Sequence, residues 1–385
     1  MIIGVPRETY PGERRVALVP LVIPTLTKAG FEVLVEAGAG SQAGYPDAQY
    51  SEKGVTLVGT RPALFEKADI VLQVLCYGSN DLTGKDDLPL LRPNQVLIGF
   101  LRPLGSKEVV QQIAGRGVIS FSVELMPRST RAQSMDALSS MGTICGYKAV
   151  LIAADTHPRI FPMLTTAAGT ITPARVFVIG AGVAGLQAIA TARRLGAVIS
   201  ATDVRPAAKE QVASLGGKFI AVEDEEFKQA EAAGGYAKEM SPEYQKKQAE
   251  LVANHIAGQD IVITTALIPG RPAPKLVSQA MVERMKPGSV IVDLAAERGG
   301  NVEGTKPGEI VQHNGVTIMG LTNLAGQVPG NASSLYARNL YAFLEPQIDK
   351  KQGKLSIKWD DEIITGTLIA KDGHIVHPRL KGGAA

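Results

Sequence analysis

Short β-branched and apolar runs alternate with helix-prone stretches along the first 125 residues. Strands are predicted at 2–5, 32–37, 55–59, 70–75, 96–101 and 118–124, and helices at 20–30, 62–68 and 106–116. Such alternation indicates βα units and a largely parallel sheet. An apolar segment at about 134–153 follows an arginine-rich loop, and it predicts a helix that joins two domains.

A second α/β series starts near Arg175. Its strands are predicted at 175–179, 197–202, 218–222, 261–265, 289–294 and 316–320. Apolar side chains then recur every four residues at Tyr336, Leu340, Leu344 and Ile348, which predicts a helix within 331–348. In the tail, apolar runs at 363–369 and 374–376 lie on either side of Asp372-Gly373, a strong signal for a tight turn.

These elements predict an α/β protein with two Rossmann-like domains, each with a mostly parallel sheet, separated by a cleft. The first domain is expected to comprise 1–138 plus 325–385, the latter supplying a C-terminal helix and hairpin, and the second to comprise 139–324. A chain of 385 residues has the length for two such domains.

Composition narrows the class of protein. Hydrophobic residues make up 45% and charged residues 20%, which is a globular balance. The net charge of +3 gives no indication of nucleic-acid binding. Cys76 and Cys145 belong to no paired-cysteine motif, so we expect no disulfide, no metal site and a reducing compartment.

The apolar runs are short for a membrane protein, because a spanning helix needs about 18 unbroken apolar residues. The best candidate, 148–163, is interrupted by Asp155, His157, Pro158 and Arg159. The N-terminus shows no pattern of a signal peptide. We therefore expect a cytoplasmic chain that does not cross a bilayer itself, although it can sit on a membrane protein.

The strongest motif is Gly180-Ala181-Gly182-Val183-Ala184-Gly185. It follows an apolar strand, opens a helix, and is followed by a second strand that ends at Asp203, 23 residues after Gly180. This is the full context of a dinucleotide-binding fingerprint, with Gly180 for the turn, Gly182 for approach of the pyrophosphate and Gly185 for close packing. A glycine-rich turn without a ligand is the alternative.

The residues after the second strand decide between the two nicotinamide dinucleotides. Asp203 is placed to bind ribose hydroxyls and would repel a 2′-phosphate, so NAD(H) is favoured over NADP(H). Val204 lies beside Asp203, and the adjacent Arg205 works against this preference. The carboxyl ends of the later strands are expected to complete the pocket, at Thr265, Ala266 and Leu267, at 293–300 and at 322–326.

The loop from Pro127 to Asp136 is dense in side chains able to form paired hydrogen bonds. It precedes the joining helix, so we expect it to face the cleft. Arg128 and Asp136 are candidates for an ion pair and Gln133 for a bond to a ribose or carboxamide. A purely structural ion pair remains open on these residues alone.

With its neighbours, this loop resembles the Arg–Gln–Asp loop of domain I, the NAD(H)-binding component of proton-translocating transhydrogenases, in the alanine dehydrogenase/pyridine nucleotide transhydrogenase family. The resemblance extends over nearly the whole chain. Its other matching parts are Ile3-Gly4-Val5-Pro6-Arg7-Glu8, Arg14-Arg15-Val16-Ala17, the fingerprint with Asp203, and Gly234-Gly235-Tyr236-Ala237-Lys238-Glu239-Met240.

The resemblance implies an activity: direct hydride transfer between NAD(H) on this chain and NADP(H) on a partner subunit. It implies roles at the nicotinamide end for Arg128, Gln133, Asp136 and Ser139, with Gln133 bridging to the partner's site. It also implies a homodimer and an integral membrane subunit that conducts protons, so that this chain would lie peripherally on the inner face of the cell membrane.

The charged, alanine-rich segment 223–250 has two interpretations. Its composition favours a solvated helical insertion. Its resemblance to the family's mobile loop favours a flap, hinged at Gly234-Gly235, that closes Tyr236 over NAD(H).

A stand-alone alanine dehydrogenase is the alternative enzyme, since these share the family. That reaction needs a positioned acid or base, whereas hydride transfer between two nicotinamides needs none. Where alanine dehydrogenases have a lysine and a histidine, this chain has Gln73 and Arg102, and all five histidines lie after residue 156, so we expect none in the first domain. Arg15, which would bind a substrate carboxylate there, is present and is interpreted as a leftover surface or cleft arginine.

In a further contrast, this chain has Glu297-Arg298 where alanine dehydrogenases have an aspartate near the nicotinamide. A non-catalytic NAD(H) sensor or scaffold would lack the same acid and base groups. The loop from Arg128 to Asp136, with the partner that it implies, distinguishes the transhydrogenase component from such a protein.

Overall fold

The computed structural model describes residues 1–229, 240–268 and 270–381. The chain forms two compact units: Met1–Met141 together with the chain from Ala325 onward, and Gly142–Leu324. Tyr236 and the glycines at 234 and 235 lie outside the described residues, so the flap stays a prediction.

An eight-stranded sheet forms the core of the first unit. From one edge to the other its strands are His374–Ile375, Leu368–Lys371, Ile119–Ser122, Val96–Phe100, Ile70–Leu75, Ile2–Val5, Glu32–Glu36 and Thr56–Val58. The six strands from the N-terminal part are parallel to one another, and the two C-terminal strands are antiparallel additions. The prediction of a mostly parallel sheet is confirmed.

Helices of the first unit follow the apolar pattern; those predicted at 20–30 and 106–116 are shorter than predicted, and that predicted at 62–68 begins and ends one residue earlier. They are Ile23–Lys28, Asp47–Ser51, Arg61–Lys67, Lys107–Ala114, Pro329–Leu344, Glu362–Thr367 and Pro378–Lys381, with 3₁₀ turns at Ser41–Ala43, Gly84–Leu90, Val123–Leu125, Thr130–Met135 and Glu345–Gln347. The helix at Lys107 begins where the Ser106 hydroxyl accepts a hydrogen bond from the Val109 amide, the usual way a serine caps a helix.

Two features of the tail follow from single residues. The helix that begins at Pro329 ends at Leu344, short of the predicted Ile348. Pro346 has no N–H to continue the helical hydrogen bonding, and Ile348 lies instead in a two-residue strand, Ile348–Asp349, paired with Lys354–Leu355. The turn at Asp372-Gly373 is confirmed, with φ of 53° and 79°, the left-handed pair that a tight hairpin needs.

A seven-stranded sheet organises the second unit. Its order is Lys218–Phe219, Val198–Thr202, Arg175–Ile179, Ile261–Thr264, Val290–Asp293, Val316–Met319 and Ile310–His313. All but the last run parallel. This is the doubly wound order with an added antiparallel edge strand, and its switch point lies between Arg175–Ile179 and Ile261–Thr264, where such sheets bind ligands.

Further helical segments of the second unit, within the described residues, are Val183–Arg194, Ala208–Ser214, Glu225–Lys228, Pro242–Ile256, Gln279–Glu283 and the 3₁₀ turn Ala296–Arg298. The 3₁₀ turn Leu324–Gln327 begins at the last residue of this unit and continues into the first unit. The exposed hairpin Leu164–Thr166 with Gly169–Ile171 was not predicted. Its strands are only three residues long, and no turn signal in the sequence marks them.

The predicted joining helix is Ala137–Thr156, which contains the boundary between the two units. By length and composition it is also the one helix, among the residues described, that meets the criteria for a membrane span, rather than the segment 148–163. Core helices of soluble proteins meet the same criteria, and Ala149, Val150 and Ala153 of this helix lie in the core of the second unit. The expectation of no membrane span stays a prediction.

Candidate functional site

The fingerprint forms the turn between the strand Arg175–Ile179 and the helix that begins at Val183. Gly180 has φ of 97°, a left-handed conformation that glycine adopts without strain. No side chain caps the start of this helix at Gly182. The amides of the first turn are therefore oriented as in known phosphate sites, where they and the helix dipole bind the anion.

The three glycines of the fingerprint differ in the space around them. A Cβ on Gly185 would lie 1.8 Å from the Gly180 carbonyl oxygen, and one on Gly180 would lie 2.5 Å from the Thr265 hydroxyl. A Cβ on Gly182 would meet no atom within 4 Å. Gly180 and Gly185 are thus required by packing, whereas Gly182 leaves open the space that a pyrophosphate would fill. The residues present therefore fit a dinucleotide.

Asp203 lies beside this turn, and its side chain is only 8% exposed. Its carboxylate accepts a hydrogen bond of 2.7 Å from the Ala181 amide and one of 2.9 Å from the Arg205 amide. The Arg205 guanidinium donates two more, from Nε at 2.9 Å and from Nη2 at 3.0 Å. Asp203, which favours NAD(H), and Arg205, which works against that preference, therefore form an ion pair beside the fingerprint.

Thr265 joins the switch-point strand to the fingerprint turn. Its hydroxyl donates to the Gly180 carbonyl at 2.9 Å, and its amide donates to the Ile179 carbonyl at 2.9 Å. Around this turn several apolar side chains remain about half exposed, which is costly unless something covers them. They are Val183 (46%), Val204 (47%), Leu267 (51%) and Ile268 (46%). The structure thus brings Asp203, Arg205 and Thr265 together at the fingerprint turn.

The four residues assigned to the nicotinamide end lie in the first unit. Arg128 and Gln133 are exposed, Gln133 on the 3₁₀ turn Thr130–Met135. The Asp136 carboxylate accepts hydrogen bonds from the Ser139 amide at 2.8 Å and from the Ser139 hydroxyl at 2.5 Å. This Asp136–Ser139 pair caps the helix that begins at Ala137.

A neighbouring residue of this loop, Arg131, anchors it to the start of the helix Glu362–Thr367. Its guanidinium makes two hydrogen bonds of 2.7 Å to the Asp361 carboxylate, and the Ser129 hydroxyl donates to Glu362. The Asn339 side chain donates at 2.8 Å to the Ser134 carbonyl. The loop is therefore fixed on both sides of Gln133, while the Gln133 side chain itself stays exposed.

Arg15 is not a surface residue. It is 5% exposed and forms a paired ion bridge with Glu13, with Nε–Oε1 at 2.8 Å and Nη2–Oε2 at 2.6 Å. Of the two interpretations of Arg15, the surface one is wrong, because its guanidinium is buried against the opposite charge of Glu13. The interpretation as a cleft arginine is not contradicted, since Arg15 lines a cavity together with Glu8 and Glu13. Gln73, which stands where alanine dehydrogenases have a lysine, is also buried, and its side-chain amide donates to the Asp87 carboxylate.

Glu8 follows the first strand of the same unit. Its carboxylate caps the strand Ile70–Leu75 by accepting from the Val74 amide at 2.6 Å and the Leu75 amide at 3.0 Å. Burial, and then repulsion from Glu13, raise the pKa of Glu8 to about 8. A cavity of 280 Å³ beside it is lined by Arg7, Glu8, Thr9, Glu13, Arg14, Arg15, Gly38, Ala39 and Gln42.

Two histidines belong to the first unit, contrary to the expectation that it has none, because the tail from Ala325 onward is part of that unit. His374 lies in the hairpin strand, paired with Lys371. His377 is buried, and its Nε2 lies 3.1 Å from the Gly366 carbonyl, an acceptor, so that ring nitrogen carries the proton. Arg102 has φ of 50°, and its amide donates to Glu124.

In the described part of the chain, no group of three or more His, Cys, Asp or Glu side chains is arranged to hold a metal ion.

A doubly wound sheet with a fitted fingerprint at its switch point defines a dinucleotide-binding α/β protein. The chain belongs to the alanine dehydrogenase/PNT family: the model of that family's N-terminal domain matches residues 4–145 and that of its C-terminal domain matches 149–378. The family resemblance in the sequence is confirmed, and the prediction of NAD(H) as cofactor agrees with this membership.

Three known proteins show where the chain lies within the family. It is 51% identical over 385 residues to the first part of the NAD(P) transhydrogenase subunit alpha of Rhodospirillum rubrum, covering 100% of both chains. A crystal structure of transhydrogenase from Sinorhizobium meliloti superimposes with a TM-score of 0.88 at 49% identity, covering 98% of this chain and 100% of the other. The alanine dehydrogenase of Mycobacterium tuberculosis is 31% identical over 316 residues, 80% of this chain and 76% of that protein.

Proposed function

We propose that this chain is the NAD(H)-binding component of a proton-translocating transhydrogenase, in which hydride passes directly between NAD(H) on this chain and NADP(H) on a partner subunit. The observation that carries the proposal is the 51% identity, along the full length of both chains, to a transhydrogenase subunit. The fitted fingerprint with Asp203 supports it independently.

The residues of the second unit bind and orient the dinucleotide. The amides at Gly182, Val183 and Ala184 would hold the pyrophosphate, Asp203 the adenosine ribose, and Thr265, Ala266 and Leu267 the far side of the pocket. When bound, the nicotinamide ring supplies a carbon that gives or takes hydride. The protein supplies apposition and exclusion of water, and needs no acid or base.

Four residues of the first unit act at the nicotinamide end in this proposal: Arg128, Gln133, Asp136 and Ser139. The Asp136–Ser139 bonds fix the start of the joining helix, while the anchored loop presents Gln133 to solvent. A long polar side chain on a fixed backbone suits contact with a second protein, because little conformational freedom remains to be lost on association. Gln133 is therefore assigned the bridge to the partner.

Three assembly features complete the proposal: an NADP(H)-binding partner subunit, an integral membrane subunit that conducts protons, and a homodimer of this chain. Their support is the relative's name, which makes it one portion of a larger subunit. The chain would then lie on the inner face of the cell membrane through its partners, and protons would move in the membrane subunit.

A stand-alone alanine dehydrogenase is the second candidate, favoured by the 31% identity to one and by the presence of Arg15. The buried Glu13 carboxylate already binds the Arg15 guanidinium in two places. Gln73 has no titratable group to serve as acid or base. Both observations make the amino-acid reaction the less favoured of the two.

Mixing experiments test the proposal. The purified chain is combined with an NADP(H)-binding transhydrogenase subunit, and reduction of an NAD⁺ analogue by NADPH is followed in the presence of NADH. We expect transfer that requires both proteins. NADH binding without any transfer to the analogue, at saturating partner, would favour a non-catalytic sensor instead.

A further inference from the structure

A buried asparagine outside the predicted site residues, Asn301, is bonded to the backbone that follows the switch-point strand. Asn301 is 0% exposed. Its Oδ1 accepts from the Ala266 amide at 2.9 Å, and its Nδ2 donates to the Ala266 carbonyl at 2.9 Å. The side-chain amide thus pairs with the backbone of one residue as a neighbouring strand would, where the chain has already left the sheet.

A third bond fixes the direction of this contact. The same Nδ2 donates to the Pro274 carbonyl at 2.9 Å, so both ends of the segment between residues 266 and 274 are attached to one side chain. Because Nδ2 carries two hydrogens and both have acceptors, the amide orientation is determined. Within this segment, Leu267 and Ile268 are about half exposed and adjoin the fingerprint turn through Thr265.

Asp293 fixes the backbone next to Asn301, through the amide of Val302. This carboxylate is 0% exposed and accepts four hydrogen bonds: from the Thr264 hydroxyl (3.0 Å), the Ala295 amide (3.0 Å), the Val302 amide (3.1 Å) and the Thr305 hydroxyl (2.8 Å). It therefore links the end of the switch-point strand to the residue after Asn301. Buried charged groups bonded in this way are rigid because breaking one bond leaves the charge unsatisfied.

Gly300 makes this arrangement possible. It has φ of 78°, and a Cβ on it would lie 2.6 Å from the Asp293 carboxylate oxygen. The sequence Gly299-Gly300-Asn301 after the fifth strand is therefore a support for the pocket wall, not an ordinary exposed turn.

We propose that Asn301 is a positioning residue of the cofactor site, which holds residues 265–268 in place for the nicotinamide half of the dinucleotide. The inference rests on the proposed function, since it requires that NAD(H) bind at the fingerprint. In a doubly wound sheet, the strands on the Asp203 side serve the adenosine half and those beyond the switch point serve the other half. Asn301 bonds only to the segment after the strand Ile261–Thr264, and so is expected to affect the nicotinamide half and not the adenosine half.

The test compares two ligands on two variants. Asn301→Asp keeps an acceptor for the Ala266 amide but loses both donated bonds, and Asn301→Ser loses the whole pairing. NADH and 5′-AMP, which carries only the adenosine half, are titrated against each. We expect the dissociation constant for NADH to rise about tenfold, as for loss of one or two buried hydrogen bonds, and that for 5′-AMP to change by less than about twofold.

Gln259→Ala is the matched control, because Gln259 is also a buried side-chain amide of the second unit, and its Nε2 donates to the His255 carbonyl, away from the fingerprint turn. It should lower the melting temperature without selective loss of NADH affinity. Unchanged NADH affinity in the Asn301 variants, or parallel losses for NADH and 5′-AMP, would overturn the inference. Failure of the unaltered chain to bind NADH would instead overturn the proposed function.

Hydrogen exchange on the unaltered, cofactor-free chain covers the case in which both variants fail to fold. The Ala266 amide should exchange at least about 100-fold more slowly than that of Leu267, since it is bonded to a buried side chain. Equal exchange rates at the two positions would show that the pairing is not maintained, and the inference would be wrong.

Discussion

The guanidinium of Arg205 lies against the carboxylate of Asp203, with Nε–Oδ1 at 2.9 Å and Nη2–Oδ2 at 3.0 Å. The Arg205 Nη2 also donates to the Ala181 carbonyl at 3.1 Å. The pair therefore presents almost no net charge beside the fingerprint. An arginine in this position does not by itself select a 2′-phosphate, because its charge is balanced by the carboxylate that would bind the ribose.

Replacing Asp203 by Ala should raise the dissociation constant for NADH by about tenfold, since bonds to a charged group are worth about 1.5–3 kcal/mol. The affinity for NADPH should fall less or rise, because the positive charge of Arg205 is no longer balanced. Titration of both nucleotides measures the ratio. Glu283→Ala, which removes an exposed carboxylate of the same unit paired with His313, is the control. An unchanged NADH affinity would remove Asp203 from the site.

Substitutions at Gly182 and Gly185 should have different effects, one on NADH affinity and the other on the stability of the fold. Gly185→Ala places a Cβ 1.8 Å from a carbonyl oxygen, so we expect it to cost about 3 kcal/mol or more in the free energy of unfolding. Gly182→Ala meets no atom and should cost about 1 kcal/mol or less, as for a changed helix cap. Its effect should be a loss of NADH affinity of at least about tenfold.

Urea unfolding and NADH titration measure these two quantities. Equal unfolding midpoints for the two glycine variants would contradict the assignment of Gly185 to packing. Normal NADH affinity in Gly182→Ala would contradict the assignment of Gly182 to the pyrophosphate.

Gln133→Asn should slow hydride transfer to a partner-bound nucleotide by about 10-fold or more, because shortening the side chain moves the amide from its bridging position. NADH affinity and melting temperature should barely change, since Gln133 is exposed. Thr130→Ala, also exposed on the same 3₁₀ turn, should leave the rate unaltered. Stopped-flow measurement of transfer decides; an unaffected rate in Gln133→Asn means that this role is wrong.

Glu8 predicts a pH dependence of stability. Its folded pKa, about 8, is above that of an unfolded glutamate, so between about pH 5 and pH 8 the folded state binds more protons than the unfolded state. The contribution to stability is complete below that range and falls as the pH rises through it, by up to about 1.4 kcal/mol per pH unit.

Comparison with Glu8→Gln isolates the effect, because other buried groups such as Glu124, whose pKa burial also raises, are retained. The variant should be less stable than the parent chain near pH 5, where an amide nitrogen faces the Val74 or Leu75 amide. The difference should narrow or reverse by about pH 8. A pH-independent difference in the free energy of unfolding would show that Glu8 stays ionised throughout.

The sequence predicts the parallel strands well, because buried strands are continuous apolar runs and their order follows the βα alternation. It predicts boundaries less well. The helix predicted within 331–348 extends too far at its C-terminal end, to Ile348 where the structure ends it at Leu344, since apolar spacing alone takes no account of Pro346. The edge strand Ile310–His313 was not predicted; it has only two apolar residues, Ile310 and Val311, before Gln312 and His313, which is a weak signal for a strand.

At the candidate site, the fingerprint and Asp203 are predictable because their chemistry depends on local spacing. The Asn301–Ala266 pairing is not, since it joins positions 35 residues apart through a side chain of unremarkable type. Arg15 shows the same limit in another form. Its partner Glu13 is close in the sequence, but only the structure shows that the pair is buried and lies beside a cavity, not on the open surface.

The central claim is that this chain holds NAD(H) for a second protein and contributes no acid or base of its own. The most direct test measures NADH oxidation by the purified chain alone with pyruvate and ammonia, at NADH concentrations that saturate binding. The account predicts bound NADH and a rate at the background of the protein-free mixture. Sustained turnover with formation of alanine would contradict it.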